Sequence, residues 1–308
     1  MPRSLFRNKD LSLIVATRPV GNYDIYGRLI AATLEKFLQA NKISIRNIPG
    51  NGMIDGANAI YRSQPDGLTF GTFNSGLLTA QLAGTKGIQF VLEKFTWLAN
   101  ATVTPRLLAV RADLPQQTIE DLQKSGKPLM IPSSGIGGSA YNDGMLLRNI
   151  LNLNLEIIPY YGGAQTTEAL QKGTVNGRIG SYAAVMKDIK KGLLQPVLQW
   201  GAKAPDLSTV PFLTDLASPP MKSLVALMDA MAAIGRPFAA PPGVPEEQKQ
   251  FLRKAFQETL QDKGFLESAK KAKLLIHFQS GAELEAMIIA ALTQDNETVS
   301  TLKKFLRP

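Results

Sequence analysis

The chain of 308 residues contains no cysteine, and this absence removes several kinds of chemistry. Disulfide bonds, thiolate metal sites and cysteine nucleophiles are excluded. Histidine is nearly absent too, since His277 is the single one. It lies in the apolar stretch 274–278, for which we predict a short strand and a half-buried structural role. With no second histidine, a paired-histidine metal site is excluded as well.

Long hydrophobic runs are also missing. The longest apolar stretches, such as 13–16 and 287–292, are far shorter than a membrane-spanning helix. Residues 1–10 are basic like the start of an export signal, but no hydrophobic segment or small-residue cleavage site follows them. We therefore expect either a cytoplasmic protein or a mature exported form with a new start methionine.

Acidic residues are fewer than basic ones, 25 against 34, which gives a formal net charge of +9. The lysines and arginines are spread along the chain, and none of their runs exceeds a pair such as Lys190-Lys191. A nucleic-acid-binding protein usually concentrates positive charge in a stripe or an arm, so we expect no nucleic-acid partner. A dispersed basic surface gives at most a mild preference for small anionic ligands.

Apolar periodicity predicts alternating strands and helices. After the first strand, Tyr26, Ile30, Leu34 and Leu38 recur at helical spacing. Strands are expected at 11–16, 43–48, 68–73, 128–131, 155–160 and 175–180. Helices are expected at about 26–38, 54–62, 139–151 and 164–172, with one more opening at Gly76 and a mainly helical portion after Pro245. This order favours a parallel sheet with helices on both faces, built twice in two α/β units.

Loops rich in Gly, Ser, Asn or Asp separate the predicted strands from the helices that follow. They are 21–24, 50–52, 74–76, 133–139 and 162–163. In an open α/β sheet such loops gather at the carboxyl ends of the strands, where ligands bind. Helix N-termini there present unsatisfied N–H groups to an anion. One such loop is explained by a turn and a helix cap alone, but five in register predict an anion-binding cleft.

One of these loops, Gly135–Ala140, fits the G-x-G-x-x-G/A fingerprint of dinucleotide-binding turns. That fingerprint needs an acidic residue at the end of the following strand, whereas Glu156 falls at its start. The loop also offers Ser133, Ser134 and Ser139, which suit a carboxylate as well as a pyrophosphate. An NAD- or flavin-linked α/β enzyme using this loop remains the alternative function.

Hydrolase and acid–base signatures are incomplete. The pattern G-x-S-x-G around Ser139 needs a glycine where Tyr141 stands. Asp24, Asp55 and Asp143 lie near loops, but no spacing marks two of them as an acid/base pair, and helix capping is the default role for each. We therefore expect a protein without catalytic residues.

Eight short motifs are spread over nearly the whole chain. They are GNYDIYGRL at 21–29, IPGNG at 48–52, PDGLT at 65–69, KFTW at 94–97, SGIGGS at 134–139, GTVNGR at 173–178, PDLSTVP at 205–211 and GRPFAAPPGVP at 235–245. Together and in this order, they resemble the periplasmic substrate-binding proteins of the tripartite tricarboxylate transporters, the Bug or TctC type.

The resemblance implies an α/β fold of the type II periplasmic-binding-protein class, with two Rossmann-like lobes joined by crossing hinge strands around a central cleft. Lobe 1 would be 1–104 plus 226–308, and lobe 2 would be 105–225. The protein would capture a di- or tricarboxylate or an aromatic acid between the lobes and deliver it to membrane permease subunits. It would be a periplasmic monomer with its export signal removed, and it would need no cofactor or metal.

Carried onto this chain, the family's carboxylate-binding loops supply ligand-binding candidates in both lobes. Those in lobe 1 are Gly21, Asn22, Tyr23, Asp24, Asn51, Gly52, Asn74 and Ser75. Those in lobe 2 are Ser134, Gly135, Gly138, Ser139, Tyr141, Tyr161, Gly162, Gly163, Ser181 and Tyr182. We expect Asp24 to cap a helix or to accept from a ligand hydroxyl or water rather than to touch a carboxylate.

Several positions depart from the common family pattern. Many relatives have His at 141 and Asp at 176, where this chain has Tyr141 and Asn176. Asn51 and Met53 add an amide and a bulky apolar group to the second loop. We therefore expect a ligand preference unlike that of the best-known members. The other rival, the effector-sensing module of a transcriptional regulator, shares the bilobal fold but would need a helix-turn-helix, for which no spare residues precede Leu11.

Overall fold

The computed structural model describes residues 5–159, 162–204 and 206–307. Its strands are β1 (Asp10–Val15), β2 (Lys42–Asn47), β3 (Thr69–Thr72), β4 (Thr96–Asn100), β5 (Arg106–Arg111), β6 (Leu129–Pro132), β7 (Leu155–Ile158), β8 (Gly177–Ser181), β9 (Leu194–Trp200), β10 (Pro237–Ala240) and β11 (Gln279–Ser280). Its helices are α1 (Asn22–Leu38), α2 (Ile54–Tyr61), α3 (Gly76–Ala83), α4 (Ile119–Ser125), α5 (Ser139–Ile150), α6 (Gly163–Lys172), α7 (Tyr182–Ile189), α8 (Leu213–Leu216), α9 (Lys222–Ala233), α10 (Glu246–Gln261), α11 (Lys263–Lys271), α12 (Gly281–Leu292) and α13 (Asn296–Phe305).

Contacts divide the chain into two compact units. Unit 1 combines the described residues of Met1–Val103 with Ile234–Thr293. Unit 2 combines Thr104–Ala233 with the described residues of Gln294–Pro308. The sequence assigned the whole of 226–308 to the first lobe, and the contacts distribute this stretch over both units.

The final helix explains most of that difference. Helix α13 contacts α5 and α9, which both belong to unit 2. It buries Thr298 and Leu302, which lie one helical turn apart and therefore share a face. An amphipathic helix this short gains its stability by burying that face against neighbouring elements.

Unit 1 is built on a mixed six-stranded sheet of order β11-β4-β10-β3-β1-β2. Strand β1 pairs in parallel with β2 and β3, as the strand–helix–strand rhythm predicted. The rhythm favoured a parallel sheet, but the sheet is mixed, because β10 is antiparallel to both β3 and β4, and β11 is antiparallel to β4. The antiparallel direction of β10 places its first residue at the same edge of the sheet as the carboxyl ends of β1 and β3.

Helices cover both faces of this sheet. Leu11, Leu13 and Val15 of β1 point by strand alternation into a core that also contains residues of α1, α10 and α11. The opposite face carries a cluster of aromatic rings, among them Phe73 and Trp97, whose centroids are 5.8 Å apart. Helices α2, α3 and α12 lie on the strands of unit 1 or on one another there. Unit 1 is thus a three-layer α/β/α arrangement.

Unit 2 contains two smaller sheets. Strands β6 and β7 pair in parallel, and β5 lies between β8 and β9 with antiparallel pairing to both. Asn176, just before β8, joins the two sheets, since its N–H donates to the Met130 carbonyl at 3.3 Å and its Oδ1 accepts from the Met130 N–H at 2.5 Å. The core of this unit is formed by β5, β9, α6 and α7, with Leu107, Leu170, Val185 and Leu194 among its members.

The C-terminal portion contains one clear correction. Residues 274–278, expected as a strand, are not a strand, and β11 begins at Gln279 instead. His277 is exposed, and it is tied to the fold through its backbone N–H, which donates to the Ala101 carbonyl at 2.9 Å. The prediction that His277 is half-buried and structural is therefore wrong.

Candidate functional site

The carboxyl ends of β1, β2 and β3 define what we call the unit 1 edge, which comprises 16–24, 48–53 and 73–75 together with Gly235 and Arg236. The three strands run in parallel, and each leads through a short loop into a helix, so the N-termini of α1, α2 and α3 meet at this edge. All eight ligand-binding candidates predicted for lobe 1 lie here.

Asp24, in the first turn of α1, holds the first loop together. Its carboxylate accepts hydrogen bonds from the Val20 N–H at 2.9 Å, from Arg28 Nε at 2.8 Å and from Asn47 Nδ2 at 2.9 Å. Burial alone would raise the pKa of Asp24, but these hydrogen bonds outweigh it and hold the pKa below its usual value. Asp24 therefore fixes the loop, and the helix cap at this end is Gly21, without a side-chain bond.

The second loop has an unusual backbone. Asn51, Gly52 and Met53 are three consecutive left-handed residues, with φ of 44°, 64° and 81°. Glycine adopts this region freely and asparagine at a modest energetic cost, but a residue with a bulky side chain such as Met53 is strained there. Backbone strain of this kind concentrates at functional sites. The Asn51 amide is occupied locally, since its Nδ2 donates to Asp55 Oδ1 at 3.0 Å.

The second and third loops touch through Asn74. Its Nδ2 donates to the Gly52 carbonyl at 3.3 Å. The side chain is buried, and among the described residues its Oδ1 has no hydrogen-bond partner. A buried carbonyl oxygen without a donor carries a desolvation cost. Asn74 thus offers an acceptor at the unit 1 edge, next to the half-exposed Ser75.

The unit 2 edge, as we name it, comprises 133–139 after β6, 162–163 after β7 and 181–182 after β8. The fingerprint glycines form a turn in which the Gly138 N–H donates to the Gly135 carbonyl at 3.1 Å. Gly137, with φ of 78°, occupies the position of that turn that requires left-handed backbone. A Cβ at Gly138 would lie 3.0 Å from Ser134 Oγ and 3.1 Å from the Gly135 carbonyl. The glycine spacing is therefore explained by turn geometry.

The dinucleotide alternative lacks its acidic partner. Glu156 is the second residue of β7, is exposed, and pairs in register with Met130 near the start of β6. The glycine turn follows the end of β6, so Glu156 lies toward the opposite end of the strands. A ribose held at the turn would therefore not meet this carboxylate.

Side chains at the unit 2 edge differ in how available they are. Ser134 is exposed, and Ser139, the first residue of α5, is half-buried. Tyr141 is buried, with 7% of its surface exposed. The Gly162 N–H donates to Gln165 Oε1 at 2.7 Å, so α6 covers part of its own N-terminus. Tyr161, also a predicted site residue, lies outside the described residues.

Tyr182 opens α7 with its hydroxyl already engaged. The hydroxyl donates to Asp206 Oδ2 at 2.6 Å, and the backbone N–H donates to the Pro105 carbonyl at 2.7 Å. Burial, then the hydrogen bond and the charge of Asp206, raise the pKa of Tyr182 to about 12. Ser181, the residue before α7, makes no side-chain cap bond.

An ion pair that the sequence did not reveal lies under the same edge. Asp143, in the second turn of α5, pairs with Arg106 at the start of β5, and both side chains are largely buried. Burial raises the pKa of Asp143, and Arg106 offsets part of that rise. Arg106 lies opposite Ser181 in the strand register, so the pair joins α5 to the end of β8. The default of helix capping is therefore wrong for Asp143.

Helix N-termini differ in whether a side chain caps them. At the two edges, α1, α2, α3, α5 and α7 have no side-chain cap. Elsewhere, α4, α11, α12 and α13 are each capped by their own Thr118, Asp262, Ser280 or Asp295. Outside the edges, the four-residue α8 and helix α10 lack a cap as well, and α10 begins with Glu246 and Glu247, whose charge suits a helix N-terminus. At these five helix N-termini of the edges the first N–H groups thus have no capping side chain, whereas at α6 Gln165 occupies the Gly162 N–H.

The pockets within the two units coincide only in part with the loops of the two edges. A groove of about 570 Å³ in unit 2 is lined by Gln199, Lys203 and Asp215 among others, and it contains none of the predicted site residues. A small apolar cavity under α3 in unit 1 does include Asn74 and Ser75. We base the site on the helix N-termini, because they provide the donors that an anion needs.

In the described part of the chain, no helix combines the length and the apolar character that crossing a membrane would need.

Several solved structures share this fold. Periplasmic binding protein BugD gives a TM-score of 0.76 at 21% identity, over 97% of this chain and 98% of that one. MatC from Rhodopseudomonas palustris with bound malate gives 0.75 at 20% identity, over 97% and 99%. R. palustris Rpa4515 with adipate gives 0.74 at 19% identity, over 97% of each chain. The fold is therefore that of the type II periplasmic-binding proteins, as the sequence predicted.

Sequence comparison gives the family. The chain is 25% identical over 269 residues to a UPF0065 protein of Bordetella pertussis, a match that covers 85% of this chain and 80% of that protein. The model of the tripartite tricarboxylate transporter family receptor, TctC, matches residues 27–302. The resemblance expected from the eight motifs is thereby confirmed, and the chain belongs to the tripartite tricarboxylate transporter receptor family.

Proposed function

We propose that this protein is a periplasmic solute-binding receptor that captures a small organic carboxylate and delivers it to the membrane permease of a tripartite tricarboxylate-type transporter. The observation that carries the proposal is the set of uncapped helix N-termini at the two edges, α1, α2 and α3 in unit 1 and α5 and α7 in unit 2. Helix N-termini that keep their N–H groups free are suited to bind anions.

The loop side chains at these edges suit a carboxylate. Ser75, Ser134 and Ser139 are neutral donors that can complement backbone N–H groups around carboxylate oxygens. MatC is known with malate and Rpa4515 with adipate, both dicarboxylates. We therefore place C4–C6 dicarboxylates first among the ligand classes, ahead of tricarboxylates and aromatic acids. The loop departures at Asn51 and Tyr141 are where we expect the preference to be set.

The first experiment is a thermal-shift and calorimetric screen of C4–C6 dicarboxylates, tricarboxylates and aromatic acids against NAD and flavin nucleotides. A ligand present at a hundred times its Kd stabilises a folded protein by about 2.7 kcal/mol, so a true ligand raises Tm by several degrees. We expect carboxylates to do this and nucleotides not to. A screen in which no carboxylate acts, or in which NAD co-purifies, would refute the proposal.

The second experiment tests the edge itself with Ser134→Ala combined with Ser139→Ala. Hydrogen bonds to a charged group contribute about 1.5–3 kcal/mol, so we expect the carboxylate affinity to fall about tenfold or more while Tm without ligand changes little. Ser268→Ala, at an exposed position of α11, is the matched control and should leave affinity unchanged. Equal affinity in the double variant and the control would remove these serines from the site.

A further inference from the structure

Arg236 is a buried cation without a carboxylate partner. Only 9% of its surface is exposed. Its Nη1 donates to the Gly235 carbonyl at 2.5 Å, and its buried Nε has no partner among the described residues. No Asp or Glu in the described part of the chain lies within ion-pair distance of its guanidinium.

Three other poorly exposed arginines each have a carboxylate partner. Arg106, Arg178 and Arg253 have side chains that are 11–15% exposed, and each pairs with a carboxylate. Burying a charge without a partner costs several kcal/mol. Arg236 is the only arginine among the described residues that is buried rather than half-buried or exposed, so its lack of a carboxylate needs an explanation, and a role in binding an anionic ligand supplies one.

Aromatic rings hold the guanidinium in place. Its Cζ lies 4.1 Å from the ring centroid of Tyr23 and 5.2 Å from that of Tyr26. Both rings are fixed at their hydroxyls, Tyr23 on the Gly235 carbonyl at 3.4 Å and Tyr26 on the Leu275 carbonyl at 2.7 Å. Cation–π contacts offset part of the cost of burial and leave the charge itself in place.

The backbone fixes the position of Arg236 as well. Its N–H donates to Asn100 Oδ1 at 2.9 Å, and its carbonyl accepts from the Ala101 N–H at 2.9 Å. In the antiparallel register of β10 with β3, Phe238 lies opposite Thr72. Continuing this register by two residues puts Arg236 opposite Asn74, at the carboxyl end of β3. Arg236 thus lies at the unit 1 edge, against the first turn of α1.

We propose that Arg236 is the charged anchor for a carboxylate of the ligand, and that it makes negative charge, rather than hydrogen-bonding shape alone, a requirement for binding. This inference rests on the proposed function and adds to it a specificity-determining residue outside the glycine loops. A guanidinium fixed by two tyrosine rings is preorganised for a planar carboxylate, and it loses little side-chain freedom on binding.

The experiment compares Arg236→Gln, Arg236→Lys and the control Arg253→Gln, using malate and adipate with their diamides as probes. Arg253 is matched to Arg236 in unit and in burial, but it is paired with Glu285 and lies away from the unit 1 edge. We expect Arg236→Gln to lower carboxylate affinity at least about tenfold and to reduce the preference for acid over amide. Arg236→Lys keeps the charge without the planar fork and should fall between.

Stability without ligand supplies a second measurement. Arg253→Gln leaves Glu285 without its arginine and should lower Tm. Arg236→Gln removes an uncompensated charge and should lower Tm less than the control or raise it. If Arg236→Gln binds malate and adipate with wild-type affinity and preference, the inference is overturned and the proposed function stands.

Sulfate separates failure of the inference from failure of the function. If no carboxylate binds the wild-type protein, the proposed function fails, and the anion site is judged by sulfate at constant ionic strength. A saturable rise of Tm in the wild type and in Arg253→Gln that is lost in Arg236→Gln would uphold an anion site at Arg236. An equal rise in all three proteins, or no rise in any, would overturn it.

Discussion

The two edges of this protein contain the same kinds of residue and use them differently. Each has a tyrosine in the first turn of a helix, Tyr23 on α1 and Tyr182 on α7, and a poorly exposed arginine nearby. In unit 2, Arg106 is neutralised by Asp143. In unit 1, Arg236 lies on Tyr23 and has no carboxylate among the described residues.

This difference separates structural charge from charge that is available to a ligand. A buried arginine with its own aspartate contributes to the fold, and its field is largely cancelled nearby. The electrostatic field of a buried arginine held by aromatic rings is not cancelled. Its desolvation therefore lowers the stability of the folded protein until an anion binds. The same residue type therefore predicts opposite results when it is altered at the two edges.

The largest effect is expected from Asp143→Asn. Because the change leaves Arg106 buried without a counter-charge, we expect the free energy of unfolding to fall by about 3–5 kcal/mol. Urea unfolding followed by circular dichroism measures this. Arg236→Gln should not cause a comparable loss, since no partner is left behind.

The matched control for that prediction is Asp113→Asn. Asp113 also pairs with an arginine, Arg111, but its side chain is 64% exposed. Exposed ion pairs are screened by water and salt and contribute little, so we expect little change in stability. Equal losses from Asp143→Asn and Asp113→Asn would mean that burial does not distinguish the two pairs, and the contrast between the edges would lose its energetic basis.

A smaller effect tests what the two edges share, their uncapped helices. Thr118→Ala removes both the cap of α4 and its capping box, and we expect it to cost about 1 kcal/mol of stability. Ser75 and Ser181 precede α3 and α7 but make no cap bond there. Ser75→Ala and Ser181→Ala should therefore each lower the free energy of unfolding by only a few tenths of the loss caused by Thr118→Ala. Thermal and urea unfolding of the three variants provide the measurement.

Ligand binding should reverse that order. Thr118 lies outside the loops that form the two edges, so Thr118→Ala should leave carboxylate affinity unchanged, whereas Ser75→Ala should weaken it. If Ser75→Ala destabilised the ligand-free protein as much as Thr118→Ala does, Ser75 would be an ordinary cap, and α3 would lose its place in the proposed site.

Local periodicity was sufficient for the part of the fold that carries the edges. The order β1-α1-β2-α2-β3 follows from apolar spacing and from turn residues that act within a few positions. Strands β4, β9 and β10 were not predicted, and the antiparallel pairing of β10 with β3 and β4 joins segments far apart in the chain. The mixed sheet therefore depends on long-range register, which a single sequence does not display.

The candidate site shows the same division. Its loops were predicted because Gly, Ser and Asn between strand and helix have a local physical meaning. Arg236 stands out in the sequence only as part of the motif at 235–245, because nothing local shows that its charge is buried until β10 is placed beside β3. Asp143 read as a helix cap for the same reason, because Arg106 lies 37 positions away. The surroundings of both arginines are therefore set by tertiary contacts alone.

The smallest effect concerns the phenol of Tyr182, whose counterpart at the unit 1 edge faces a cation instead. Burial and Asp206 raise the pKa of Tyr182 to about 12. Because the folded protein holds this proton more tightly than the unfolded chain, the resulting stability is complete below the ordinary tyrosine pKa of about 10. This stability is lost as pH rises through about 12.

Ultraviolet titration of tyrosinate, taken as the difference between wild type and Tyr182→Phe, measures the pKa of Tyr182 directly. Asp206→Asn should lower the pKa, yet leave it above the ordinary value, since burial is the larger cause. A Tyr182 that titrates normally would show that its hydroxyl is not committed to Asp206 and is free to serve a ligand.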